Sequence, residues 1–332
     1  MNRYYKCPSV IAILFSIVSL VSPLAAFEWS FFTDYELDTN FAFDYEVCGA
    51  FTGGYRVDQI RTEVRGFDVS LNDRLRDKLK ISNMGIWEVG GKCRLTLCQQ
   101  WFIQGHAFVG WAHKGRFEET TNIIPFECLL TSTTSHIHNG ETQDYSVGLG
   151  YMFNLSFCDV CFRMGPSAGW SWDTHFVRIG EAETNFFPDF ILSELKYEDY
   201  WQGPWMGIGA QYTWCGIELG LCYEYHFPTW RSKWSLRGPD VAPGAFSDKR
   251  HSHHGYGNIV TLDAHYCICD CLVVGVDFKY QDWSIKEGRE KGEEPIVDCT
   301  ALGGICPAPR HDKMAESTWK SYGLQVDLGF SF

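Results

Sequence analysis

The sequence predicts an all-β fold, a transmembrane antiparallel β-barrel of about ten strands, with twelve as the alternative count. Three observations predict it. From Tyr322 to Phe332 the residues alternate without a break: Tyr322, Leu324, Val326, Leu328, Phe330 and Phe332 fall on one face, and Gly323, Gln325, Asp327, Gly329 and Ser331 on the other. Successive strand side chains point to opposite faces, so this strand has one apolar and one polar side. The same alternation recurs in nine earlier segments, which run to about twice the ~5 to 6 residues usual for strands of soluble proteins. The connections run long, short, long, short, the arrangement of a barrel with short periplasmic turns and long extracellular loops.

The chain opens on Arg3 and Lys6, an apolar run over residues 10–21, and the small residues Ala25 and Ala26. This pattern predicts a removable signal peptide over residues 1–26 and a single barrel domain over 27–332. The apolar run is shorter than the ~20 residues a helical span needs. Only helices and closed barrels satisfy every backbone group in lipid, so an exported chain without a spanning helix is soluble or a barrel.

The first strand is expected at residues 41–48, with Asp44 and Glu46 on its inner face. Residues 57–76 are charged and read as a long loop or a strand extension. A second strand covers 78–95, its pattern blurred over 84–91. The third is clear, with Trp101, Ile103, Ala107, Val109 and Trp111 opposing Gln104, His106 and Gly110. A polar loop over 113–143 leads to the fourth, which shows Tyr145, Val147, Leu149 and Tyr151 on one face. The fifth, over 162–175, turns Arg163 and Asp173 inward.

After a loop over 180–194, the sixth strand runs to Trp214, and Cys215-Gly216 turns the chain into the seventh. That strand carries Glu218, Glu224 and His226 inside. A loop over 231–255 precedes the eighth, with Asp263 and His265 inside, and the ninth, with Asp277 and Lys279 inside. The longest loop, over 284–317, leads to the last strand and Asp327. The candidate pore lining is therefore Asp44, Glu46, Asp173, Glu218, Glu224, Asp263, Asp277, Lys279 and Asp327. Against these carboxylates the same faces offer mainly Arg163 and Lys279, which predicts a preference for cationic solutes.

Composition narrows the partners. The formal charge of −13 becomes −15 once Arg3 and Lys6 leave, which argues against nucleic acid. Phe, Tyr and Trp make up 16% of residues, a share that suits interfacial girdles. Of 14 cysteines, Cys7 leaves with the signal and an odd number remains. Cys98, Cys158, Cys161, Cys215, Cys267, Cys269 and Cys271 fall in or beside the short turns, at the periplasmic rim, where disulfides form. The three alternate thiols of residues 267–271 cannot readily bridge one another, so disulfide-linked envelope partners are expected. Cys299 and Cys306 are expected to close a small hairpin in the last outer loop, around Gly303-Gly304. A metal is not expected. The 267–271 turn lacks a nearby fourth ligand, and His251, His253 and His254 read as a solvated loop.

Several stretches carry resemblances. The amphipathic last strand ending on an aromatic resembles the signal that outer-membrane barrels present to their assembly machinery. The ten-strand layout, with Gly203-Pro204-Trp205-Met206-Gly207-Ile208-Gly209 followed by Glu218-Leu219-Gly220, resembles the sixth and seventh strands of the omptin outer-membrane proteases. The likeness covers most of residues 78–332. Omptins place an Asp-x-Asp pair at the outer end of the third strand and an Asp-x-His at that of the seventh, to activate a water by general base catalysis. Here those places read His113-Lys114-Gly115-Arg116-Phe117-Glu118-Glu119 and Pro228-Thr229-Trp230-Arg231-Ser232-Lys233. No catalytic residue carries over. An Asp-x-His does occur as Asp173-Thr174-His175, on the fifth strand, and reads as a lumen or rim pair. In cysteine layout and architecture the chain resembles the porins of chlamydiae and of their amoeba-dwelling relatives.

The expectation is a porin or structural barrel of the outer membrane, without cofactor, in contact with outer-membrane lipid and the assembly machinery. The alternatives are an omptin-like protease and a surface adhesin or ligand-binding barrel.

Overall fold

The computed structural model describes residues 45–68, 73–124, 128–157, 160–180, 183–184, 194–214, 216–237, 247–269, 272–290 and 313–331. Fourteen strands form one sheet: β1 (Tyr45–Asp68), β2 (Asp73–Leu97), β3 (Trp101–Ile124), β4 (Cys128–Tyr151), β5 (Phe153–Phe157), β6 (Val160–Ile179), β7 (Glu183–Thr184), β8 (Glu194–Trp214), β9 (Ile217–His226), β10 (Thr229–Arg237), β11 (Ser247–Ser252), β12 (Gly255–Cys269), β13 (Leu272–Glu290) and β14 (Lys313–Ser331). Three pairs are single walls in two pieces: β4 with β5, parted at Met152; β9 with β10, parted at Phe227-Pro228; and β11 with β12, parted at His253-His254. Pro228 has no N–H to give the ladder, which accounts for the second break. The two-residue β7 flanks β4, leaving ten walls. Every pairing is antiparallel, and β1 pairs with β14 from Cys48↔Ser331 to Arg65↔Lys313, which closes the barrel without an edge.

Among the described residues, exposed apolar side chains concentrate in the half of each wall next to the short turns. On β14 these are Tyr322, Leu324, Val326, Leu328 and Phe330, all exposed. On β3 they begin at Trp101 and stop at Trp111, and on β12 they run from Tyr266 up to Tyr256. Such spans match the ~9 to 11 tilted residues that cross a bilayer. Trp87, Trp111, Trp172, Tyr256 and Tyr322 rim the outer edge of this belt, and Trp101, Phe153, Trp214 and Tyr266 its inner edge. These are the two aromatic girdles.

Above the outer girdle the walls continue and their pattern inverts. On β14, Lys320 and Glu316 now face out while Trp319 and Ser317 are buried inside. On β1 Arg61 and Arg65 face out over buried Ile60 and Val64, and on β3 Arg116 faces out beside buried Phe117. The cause is the change of solvent. In lipid the outer face must be apolar; in water it must be polar, and the apolar residues turn to the interior.

The inversion corrects several expectations. Residues 113–143, expected as a loop, belong mostly to β3 and β4, paired from Trp101↔Tyr151 to Ile123↔Cys128. Much of the loop expected at 231–255 is β10 and β11, and both ends of the one expected at 284–317 are strand. Of residues 57–76, for which the sequence leaves a loop and a strand extension both open, 57–68 and 73–76 are strand extension. The first strand, described over Tyr45–Asp68, runs well beyond the expected end at 48; residues 41–44 lie outside the described residues. The described part of each segment is polar because it stands in water on its outer side, although it belongs to the paired sheet.

Candidate functional site: the barrel interior

Two layers of side chains fill the interior. The outer layer is apolar and draws on every wall: Ile60 on β1, Ile81 on β2, Phe117 on β3, Ile137 on β4, Val177 on β6, Trp201 on β8, Trp230 on β10, Ile259 on β12, Trp283 on β13 and Trp319 on β14 form one buried cluster. Four tryptophans hold its centre. Trp201 and Trp230 are register partners, as are Trp283 and Trp319. The second pair is stacked, with ring centroids 5.6 Å apart and planes at 17°. Trp201 reaches across the interior to Trp283 at 5.9 Å and to Trp319 at 6.2 Å, although β8 borders neither β13 nor β14. All four rings are 0% exposed. The cluster spans the bore from wall to wall, as side chains in the packed interiors of small barrels do.

Toward the periplasmic end lies a layer of charged and polar groups. Arg56 donates to Glu88 (Nη1 to Oε1, 2.8 Å) and lies 3.3 Å from Asp58, its guanidinium over the Trp319 ring. His175 Nε2 is 3.1 Å from Asp58, and its Nδ1 is 3.8 Å from Asp199, whose carboxylate accepts from Trp201 Nε1 at 2.7 Å. Lys279 donates to Asp144 at 2.8 Å, and His106 Nε2 sits 2.9 Å from the other oxygen of that carboxylate. Lys92 bonds Asp277 and, at 3.0 Å, Asp327; Thr52 donates to Asp327 at 2.5 Å. His226 joins Ser171 at 3.1 Å to Glu224 at 2.9 Å. The charges are paired and hydrogen-bonded, the condition under which buried ions are tolerated.

The inward residues read from the sequence divide as follows. Asp173, Asp277 and Asp327 are buried, and Glu218, Glu224, Asp263 and Lys279 are partly buried, all on the inner face. Glu46 is exposed at the periplasmic rim, and Asp44 lies outside the described residues. The expected scarcity of basic partners is corrected: Arg56, Lys92 and Arg94 also turn inward. Arg56 lies between the first strand expected at 41–48 and the charged segment 57–76, in a stretch assigned to neither face. Lys92 and Arg94 follow the blurred stretch of β2, where Asn83 takes a positive φ of 53° and the register slips between Ser82 and Gly85. A bulge adds a residue and breaks the period of two, so facing cannot be carried across it.

Asp173-Thr174-His175 lies on β6 with both ionisable side chains inside. His175 between two aspartates resembles a general base with its orienting partners, but it is 0% exposed and packs edge-on against Trp319 at 4.4 Å. A substrate has no approach to it.

Cys98 and Cys267 are exposed and carry free thiols, as do Cys93 and Cys222. Cys161 and Cys269 lie in strands, and nothing is described of their side chains. Cys158, Cys215, Cys271, Cys299 and Cys306 fall outside the described residues.

The fold is similar to that of the outer membrane protease OmpT from Escherichia coli, with TM-score 0.60 and 12% identity, covering 86% of this chain and 96% of that one. Weaker similarities link it to the outer membrane protein OprG of Pseudomonas aeruginosa (TM-score 0.26, 9% identity, 86% and 95% covered) and to a FadL homologue of the same organism (TM-score 0.26, 7% identity, 86% and 90% covered). No curated protein is significantly similar in sequence. The model of the family described as Protochlamydia outer membrane protein matches residues 50–332. A closed ten-walled barrel with two girdles, matched over nearly its whole length, places the chain: it belongs to the Protochlamydia outer membrane protein family and resides in the outer membrane.

Proposed function

We propose that this protein is a non-catalytic outer-membrane barrel that is closed at rest and passes small cations only when its outer apolar layer loosens. The observation that carries this reading is the buried cluster to which all ten walls contribute. Four tryptophans at 0% exposure cross the bore, which supports a barrel without a standing water path among the described residues. The cation preference rests on the lower interior. There Asp58, Glu88, Asp144, Asp173, Glu218, Glu224, Asp263, Asp277 and Asp327 outnumber Arg56, Lys92, Arg94, Arg163 and Lys279. Low-dielectric walls focus the field of the surplus carboxylates. The test is the reversal potential of a Trp201→Ala/Trp319→Ala barrel across a salt gradient. Cation selectivity is expected; anion selectivity would sink the reading.

The same reading makes the periplasmic rim a cross-linking edge. Cys98 and Cys267 present free thiols there, in a compartment that oxidises them. Envelopes run on non-reducing gels should give high-mass species that collapse to monomer on reduction. A monomer band under both conditions would remove the cross-linking role and leave the barrel. The C-terminal strand, with Leu324, Val326, Leu328 and Phe330 on its outer face, is the segment offered to the assembly machinery.

A further inference from the structure

We propose that His265, Asp277 and Asp327 form a binding site, inside the barrel, for one divalent transition-metal ion of the zinc type. The three come from different walls, β12, β13 and β14, and their ligand atoms all lie within 4.8 Å of one another. His265 Nε2 stands 3.3 Å from Asp327 Oδ2 and 3.6 Å from Asp277 Oδ1. Ligand atoms held about 2.0–2.1 Å from a tetrahedral ion are spaced by roughly 3.3 Å, so little movement is needed to close the set.

Two independent features point to an ion. Asp277 is 2% exposed, and its Oδ1, the atom turned to His265, has no hydrogen-bond partner. A buried carboxylate oxygen left unmatched is costly unless something else meets it. The other feature is the far side of the imidazole. His265 Nδ1 lies 3.4 Å from Asp263 Oδ2, so Asp263 can hold the Nδ1 proton while Nε2, turned to Asp277 and Asp327, exchanges its proton for an ion. A carboxylate behind a ligating histidine is the recurrent outer shell of zinc sites. The seat is prepared in the backbone as well. Gly275 is the register partner of His265, and a Cβ there would overlap the imidazole Cδ2.

Lys92 is the competitor, since its ammonium bonds Asp277 Oδ2 and Asp327 Oδ2. Three carboxylates against one lysine leave room for a divalent charge, with imidazole nitrogen and carboxylate oxygen both suiting zinc. The ion would share Asp327 with Lys92 or displace it.

Co²⁺ and Zn²⁺ titrations of the purified full chain in detergent, by calorimetry and absorption, test this, with heat-modifiable gel migration as the check on folding. One ion per barrel is expected, with a cobalt spectrum free of the intense sulfur charge-transfer band that the thiols would give. His265→Gln should abolish binding, Asp263→Asn should weaken it by about 10–100-fold as outer-shell partners do, and Lys92→Met should tighten it. If His265→Gln fails to fold, Gly275→Ala takes its place and is expected to weaken binding in a folded barrel. Absence of binding, a thiolate spectrum, or affinity unchanged in the His265 or Gly275 variant would each overturn the proposal.

Discussion

Arg56 is the residue on which the lower interior depends most. At 4% exposure it faces Asp58 and Glu88, and Gln325 donates to the second oxygen of Glu88 at 3.2 Å. Removing one partner of a buried ion pair leaves the other uncompensated, at about 3–5 kcal/mol. Arg56→Met should therefore lower the unfolding free energy in detergent by that amount, and adding Asp58→Asn and Glu88→Gln should recover much of the loss. An unchanged denaturant midpoint for the single variant would show that the network carries no stability. On the outer face the sign of the medium decides. Leu324 is exposed in the middle of the belt, so Leu324→Arg should cost ~2–4 kcal/mol, while exposed Lys320 above the girdle should tolerate Lys320→Leu. Equal costs at the two positions would contradict the placement of the girdle. At this scale the sequence was legible wherever alternation ran unbroken: Glu224, Asp263, Asp277, Lys279 and Asp327 face where their parity puts them. Arg56 and Lys92 were not legible, because one falls past the end of the expected first strand and the other beyond a bulge.

Each wall is an element in two environments, and this explains both what its sequence revealed and what it concealed. The belt halves of β3, β9, β12 and β14 could be read directly. The upper halves carry the polarity expected of loops, because their outer sides stand in water. The available signal was the inversion of phase: Val326, Leu324 and Tyr322 on even numbers, then Trp319 on an odd one; Met206 and Ile208 outside, then Trp205, Trp201 and Tyr197 inside. Register is strongly specified where each half has one apolar face, because a slip of one residue puts the whole set on the wrong side. One Ala inserted between Val326 and Asp327 should abolish the heat-modifiable folded band, whereas two inserted residues, which restore facing, should spare it in part. Equal tolerance of both insertions would show that facing is not what fixes β14.

For the molecule as a whole, the closed ten-walled sheet was legible from strand count and connection lengths, and the sealed bore was not. Contacts such as Trp201 with Trp319 join residues more than a hundred positions apart across the interior, and no local pattern announces them. The inner carboxylates suggest an open acidic pore when counted alone, and the structure pairs most of them and sets a buried apolar cluster above them. Single-channel recording in planar bilayers tests this account most directly, comparing the native barrel with Trp201→Ala/Trp319→Ala. Each truncation removes a buried indole at about 3–5 kcal/mol, while the closed hydrogen-bond ladder still holds the wall. The native protein should show no steady conductance and the variant discrete, cation-selective openings. A steady ohmic conductance of the native barrel, unchanged in the variant, would contradict the sealed interior.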